Sequence, residues 1–179
     1  MTRWNGLRSA VVVAAVAIAL VMPTPAAAWV AFAKITTSAG TTIDGDVTAK
    51  GYEKQIAVLG VGNRMEMPLT TTSGGSTTVG RLQAGPIQIV KGFDSATPKL
   101  VALVGIGVSQ PKVEITIFKK LADNTSIPGF RITLTNAVLT QIDTTYDPGA
   151  DPSTLEKIEF FYTKLQWTDL VTGATGSTP

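Results

Sequence analysis

The chain has no cysteine and no histidine in its 179 residues. Without cysteine there can be no disulfide, thiol nucleophile or thiolate metal site. Without histidine there can be no histidine-based triad. Charge is scarce too, at 16% of the residues. The formal net charge of +2 comes from Arg3 and Arg8, near the N-terminus. Beyond them 13 basic residues, the total of 15 less these two, face 13 acidic ones. A neutral domain is poorly suited to nucleic acid, which demands an excess of Lys and Arg. No apolar run reaches the roughly 20 residues of a membrane-spanning helix, and no internal repeat is present.

What is present begins with a tripartite N-terminus. Arg3 and Arg8 form a basic region, Ala10 to Met22 is unbroken apolar sequence, and Ala26-Ala27-Ala28 follows two prolines. This is the layout of a secretory signal peptide with an A-x-A cleavage site. The reading is therefore a signal at residues 1–28, a single domain at 29–170 and a flexible tail at 171–179. The mature protein is expected outside the cytoplasm, periplasmic or extracellular, with an uncleaved anchor as the rival.

The mature chain reads as strands. Trp29 to Thr37 is aromatic and β-branched, and Ser38 to Gly51 is a glycine-bearing loop. Tyr52 to Met67 is a second strand, where Gly60 and Gly62 suggest a bulge or close backbone approach. Pro68 to Gly80 (PLTTTSGGSTTVG) is uncharged and rich in Thr, Ser and Gly. It is either a long flexible connection or an extended arm that orders on a neighbouring subunit. Arg81 to Phe93 is a third strand, with Ile87, Ile89 and Phe93 on one face.

Residues 97–104 form the one convincing helix. Thr97 suits an N-cap, Pro98 the first helical position, and Gly105 the C-cap. Leu100 and Leu103 are expected to face the core, with the outer side of the helix near a neighbouring subunit. After Pro111 the period is two, with Val113, Ile115 and Ile117 on one face. Phe130, Ile132 and Leu134 repeat that pattern. Leu155 to Thr168 is apolar on both faces: Ile158, Phe160 and Tyr162 on one, Phe161, Leu165 and Trp167 on the other. A strand of that kind needs cover on both sides: the core on one, and the helix or another subunit on the other. The sum is an all-β fold, a small two-sheet barrel or sandwich with one short helix.

No catalytic constellation emerges, and the expected class is non-enzymatic with no metal and no cofactor. Asp44/Asp46 and Asp147/Asp151 read as turn chemistry. Glu156 and Glu159 are three apart in a strand and so face opposite sides. Asn124-Thr-Ser126 fits a glycosylation sequon.

Several stretches, in order, carry a resemblance. They are GYEKQIAVLGVGNRMEMP (51–68), FDSATPKL (93–100), KVEITIFK (112–119), FRITLTNAVLTQI (130–142) and LEKIEFFYTKLQWT (155–168). Together they resemble the Hcp family, the haemolysin-coregulated proteins that form the inner tube of type VI secretion systems. The most specific pieces are Asp94 with Thr97-Pro98-Lys99-Leu100, and Tyr162 to Thr168.

The resemblance implies a two-sheet β-barrel with a helix on its side. It also implies hexameric rings with a wide channel, stacked head to tail. It assigns ring stacking to the arm, at Leu69, Thr70, Thr71, Thr72, Ser73, Thr77 and Thr78. The two-faced strand and its neighbours supply the expected subunit interface, at Phe118, Phe161, Leu165 and Trp167. The partners are then further copies of the chain, with secretion-system components or effectors beside them. Two departures stand out: Tyr52 occupies the position of the family's usual histidine, and a signal peptide is present. The main expectation is an exported, self-assembling structural protein forming rings, tubes or fibres. The alternatives are a secreted effector carrier or a ligand-binding module of such a system.

Overall fold

The computed structural model describes residues 31–121, 125–150 and 154–178. The signal segment at 1–28, Asn124 and Asp151 lie outside the described residues. Within them the chain runs β1 (Ala31–Thr36), β2 (Ile56–Val58), β3 (Gly60–Gly62), β4 (Met65–Glu66), β5 (Leu69–Thr71), β6 (Thr77–Val79), β7 (Gln83–Ala84) and β8 (Ile87–Gly92). Then follow α1 (Thr97–Ile106), β9 (Gln110–Lys120), β10 (Ser126–Tyr146), β11 (Thr154–Phe161), β12 (Lys164–Asp169) and β13 (Thr175–Ser177).

Two sheets share the core. The first has the order β2-β1-β9-β10-β12-β13, and the second is β10-β11-β8-β3, all antiparallel. The 21-residue β10 belongs to both. Its residues up to Ala137 pair with β9, and those from Val138 onward pair with β11. Just before that switch Asn136 adopts φ 50°, a left-handed conformation that Asn tolerates better than most residues. The chain opposite bends in step: β11 ends at Phe161, and Lys164 opens β12 opposite Thr135. A second corner lies between β2 and β3, where Leu59 N–H donates to Val90 O at 2.7 Å. Two strands thus cross from sheet to sheet and close the structure into a small barrel.

Alternation fills the interior. Ile35, Val113, Leu134 and Leu165 stand in one register row, and all are buried. Ile87, Ile89, Ile158 and Phe160 fill the second sheet's side. Ile43 and Val47, from the loop after β1, complete the core with Ala96 and Leu100.

The helix differs from its sequence reading at both ends. Ala96 is the N-cap, in right-handed helical geometry with no side-chain cap bond, and Pro98 sits in the first turn as expected. The helix runs through Gly105 and stops at Gly107, whose φ of 61° is the left-handed cap that glycine adopts freely. Gly60 and Gly62 sit in an ordinary ladder with neither bulge nor close approach, since a Cβ at either would meet Val90 or Gln88 only at ordinary van der Waals distance.

The segment 171–179, expected to be a flexible tail, is structured in its described part. Thr175–Ser177 pairs with β12, and Leu165 N–H donates to the buried Thr178 Oγ1 at 3.0 Å. Asp169 sets the turn before it, accepting from Val171 N–H at 2.8 Å and Thr172 N–H at 3.1 Å. Those bonds, Thr172's first and Val171's second, hold its carboxyl below the usual carboxylate range.

Candidate assembly surfaces

Four surface features are candidates for contact with other molecules. The first is the outer side of α1. Leu100 points into the core and Leu103 and Val104 pack against it, as the spacing predicts. Other apolar residues of α1 stay exposed beside Lys99, namely Val101 and Ile106, Ile106 by 64%, and Val108 just past the Gly107 cap is exposed too. Phe93, which precedes the helix, is exposed too. It lies beyond the end of β8, so it does not join Ile87 and Ile89 as the sequence reading had it. A helix with apolar residues outside its core-facing stripe is normally covered there too.

What holds α1 in place is a buried ionic cluster. Lys91 follows Ile87 and Ile89 in inward phase and is fully buried. Glu156, its direct cross-strand partner, follows Ile158 and Phe160 inward and is also buried. Lys91 Nζ contacts Glu156 Oε2, Asp94 Oδ1 at 2.8 Å and Thr97 Oγ1 at 2.9 Å. Thr97 Oγ1 in turn donates to Glu156 Oε2 at 2.7 Å, and Asp94 Oδ1 accepts from Ala96 N–H at 3.0 Å. Glu156 Oε1 is buried with no hydrogen-bond partner. The Asp94 and Thr97 of the family-like motif are therefore the residues that dock the helix on the sheet. Glu156 and Glu159 do face opposite ways, since Glu159 accepts from Gln88 Nε2 at 2.6 Å while Lys157 lies 3.6 Å away.

The second feature is the outer face of the second sheet. Phe161 is 53% exposed and pairs with the half-buried Val138, with Val90 on the neighbouring strand. Of the four expected interface residues, Phe161 alone is exposed. Leu165 is 1% exposed and belongs to the core of its own chain. Trp167 is half-buried and packs against that core. The physical reason is the corner. Leu155 to Thr168 is not one straight strand with two apolar faces but two strands in two sheets. Crossing the corner reverses the phase, so Phe161 points out of one sheet and Leu165 into the other. Phe118 is half-buried within its own chain, in an aromatic trio with Phe32 and Tyr52 (centroids 4.9 Å and 5.2 Å). Phe32 and Tyr52 lie 5.3 Å apart. Each such contact contributes about 0.5–1.5 kcal/mol. Phe130, expected inside, is 43% exposed at a bulge between Pro128 and itself.

The third feature is the outer face of the first sheet, which is polar and basic. Lys112 and Lys164 flank Thr135, and Lys34, Glu114, Thr133 and Gln166 form the next outward row. A shallow hollow of about 430 Å³ lies among Lys34, Tyr52, Glu114 and Arg131.

The fourth feature is the arm. Residues 63–86 form a long hairpin made of two ladders, β4–β7 and β5–β6, with a turn at Gly75 (φ 81°). Leu69, Thr70, Thr71, Thr72, Ser73, Thr77 and Thr78 all lie on its distal half and are exposed. Leu69 and Val79 pair directly and are 66% and 56% exposed. An isolated two-stranded ribbon is marginal in water, so this element is suited to docking on something else.

Among the described residues no group of three or more Asp, Glu, Cys or His could hold a metal, and no helix is long and apolar enough to cross a membrane. Asp147 makes an Asx turn with Gly149 N–H at 2.9 Å, as the turn reading expects, whereas Asp46 accepts from Ser95 N–H at 3.3 Å, a long-range bond that ties the loop after β1 to the approach to α1.

Comparison with known proteins agrees with this architecture. Residues 32–168 match the family model described as type VI secretion system effector, Hcp. The chain is 33% identical over 138 residues to the Major exported protein of Pseudomonas aeruginosa, covering 74% of this chain and 79% of that one. Among solved structures it is similar to Hcp1 of E. coli EAEC 042, with a TM-score of 0.74 and 23% identity over 84% of this chain and 98% of that one. It is also similar to the secreted protein Hcp3 of Pseudomonas aeruginosa, with a TM-score of 0.65 and 26% identity over 83% and 97%. The fold, the docked helix and a match that runs from β1 to β12 lead to one conclusion: the chain belongs to the Hcp family of type VI secretion system proteins.

Proposed function

We propose that the chain is an exported structural subunit that closes into rings through its apolar outer surfaces and stacks those rings through its arm. The observation that carries this is the uncovered outer side of α1, on a chain that belongs to the Hcp family. Val101, Ile106, Val108 and Phe93 are exposed apolar side chains on and around α1 that a solitary subunit would leave in water. Phe161 and Val138 lie on a different surface of the same subunit. Two unlike patches meeting head to tail give a heterologous contact, which closes into a ring when the rotation permits. Leu69 and Val79 on the arm supply an axial contact, and an axial contact that does not close gives an open stack. The subunit acts by assembly and not by catalysis. Export follows from the segment at 1–28 and accords with a relative named as an exported protein.

Size measurement by light scattering and negative-stain microscopy of the purified mature chain tests the reading. Rings, alone or stacked, are expected. Monomers alone at high protein concentration would refute it. N-terminal sequencing of the native protein should begin at Trp29; an intact Met1 would overturn the export step.

A further inference from the structure

The arm leaves the barrel through a poorly filled root. On one side a hollow of about 380 Å³ is bounded by Gly62, Asn63, Arg64, Gly85, Pro86 and Gln88. Asn63 Nδ2 is buried there without a hydrogen-bond partner. On the other side an apolar hollow of about 240 Å³ separates Met65 and Leu82 of the arm from Leu165 and Trp167 of β12. Close-packed contacts that would fix a hairpin's direction are thin on both sides. Among the described residues one hydrogen bond joins the arm to the body beyond its own hairpin: Tyr162 Oη donates to Gly85 O at 3.0 Å. Gly85 N–H donates across the hairpin to Arg64 O at 2.8 Å, so the bond from Tyr162 grips both strands of the root. Tyr162 sits at the corner between β11 and β12, where the backbone is held by both sheets.

We propose that Tyr162 is the positioning residue of the arm: its hydroxyl, bonded to the Gly85 carbonyl, sets the direction in which the hairpin projects, and through that direction the stacking of rings. This deepens the assembly reading and rests on it. A hairpin swinging at its root presents Leu69 and Val79 over a wide arc. One fixed by Tyr162 presents them at one place, so less orientational freedom is lost on docking. The proposed ring contact at the adjacent Phe161 points outward, whereas Tyr162 packs against the core, so the ring contact does not use its hydroxyl.

The absence of cysteine makes the test direct. Cysteines placed by Thr71→Cys and Thr135→Cys, one on the arm and one on the first sheet, take spin labels at those positions only. Labelled protein is diluted into unlabelled protein, so that intramolecular distances dominate. A narrow distance distribution is expected with Tyr162, and one at least twice as broad with Tyr162→Phe. An unchanged width overturns the proposal. In microscopy Tyr162→Phe should keep rings and lose stacks several-fold. A variant lacking Thr71 to Thr77 should keep rings and lose stacks altogether. If the shortened arm stacks like the parent, the axial role of the arm falls. If it fails to stack while Tyr162→Phe stacks fully, the role of Tyr162 falls and that of the arm stands.

Discussion

Lys91→Met is the most informative single change in the barrel. It removes the ammonium that contacts Glu156, Asp94 and Thr97 Oγ1, and substitutes a side chain of similar length and apolar character. Glu156 then keeps only the Thr97 hydroxyl on Oε2, and Oε1 already has no partner. A carboxylate 1% exposed cannot recover that loss from water. Breaking one side of a buried ion pair costs about 3–5 kcal/mol. For a domain of this size each kcal/mol lowers Tm by roughly 2–4 °C, so a fall of roughly 6–20 °C is expected. Urea denaturation followed by circular dichroism gives the same quantity as a lower midpoint at unchanged slope. The second half of the experiment adds Glu156→Leu to Lys91→Met. With both charges gone the inner face of the strand pair becomes continuously apolar, Asp94 at the partly exposed rim keeps its bond from Ala96 N–H, and most of the lost stability should return. A loss below about 1 kcal/mol for Lys91→Met, the ceiling for exposed pairs, would refute the view that the cluster is sealed from solvent. So would a double variant no better than the single one.

Three further outcomes are expected. Leu100→Asp should leave the domain unfolded by circular dichroism, since Leu to a smaller residue in a core already costs about 2–5 kcal/mol and a buried charge adds to it. A folded Leu100→Asp monomer would remove the helix from the core. Ile106→Asp should change stability by no more than about 0.5 kcal/mol and abolish rings in light scattering, and intact rings would take the outer side of α1 out of the interface. Asp169 has a lowered pKa when folded, so its tie to the β12–β13 turn is complete above the unfolded value of about 3.9 and is lost as pH falls through the folded one. Relative to the intrinsic exchange rate at each pH, the protection of the Val171 and Thr172 amides should fall on that descent, and Asp169→Ala should show the lower protection at neutral pH; protection unaffected by either change would exclude the cap.

Where strands run straight, period-two alternation in the sequence placed residues correctly: Val113, Ile115, Ile132 and Leu134 are all inside. It failed at the corner. Phe161 and Leu165 are four apart, an even number, so a straight strand puts them on one face. No proline or glycine marks the bend at Tyr162-Thr163. Its one local sign is Asn136 on the opposite strand. The ionic cluster was legible in phase but disguised by residue type. Lys91 and Glu156 continue the inward positions of their strands, and a buried charge is not expected until its partner is seen opposite. The pairing of Thr175–Ser177 was hidden for a different reason, since Thr, Gly and Ser carry no apolar signal. On the arm, composition left open a flexible hairpin connection or an extended arm, and the structure provides a hairpin ladder.

The two corners also have a mechanical consequence. β10 and the β2–β3 segment each run unbroken from one sheet into the other. A load that tries to slide the sheets past one another is therefore borne by covalent backbone at two places, and ladder bonds on both sides of a corner must shear together. Peeling a single edge strand, by contrast, opens a ladder one bond at a time, and β13, three residues long, offers such an edge. A subunit built in this way should yield first at its C-terminal strand under axial pull, with the barrel wall giving way only at much higher force.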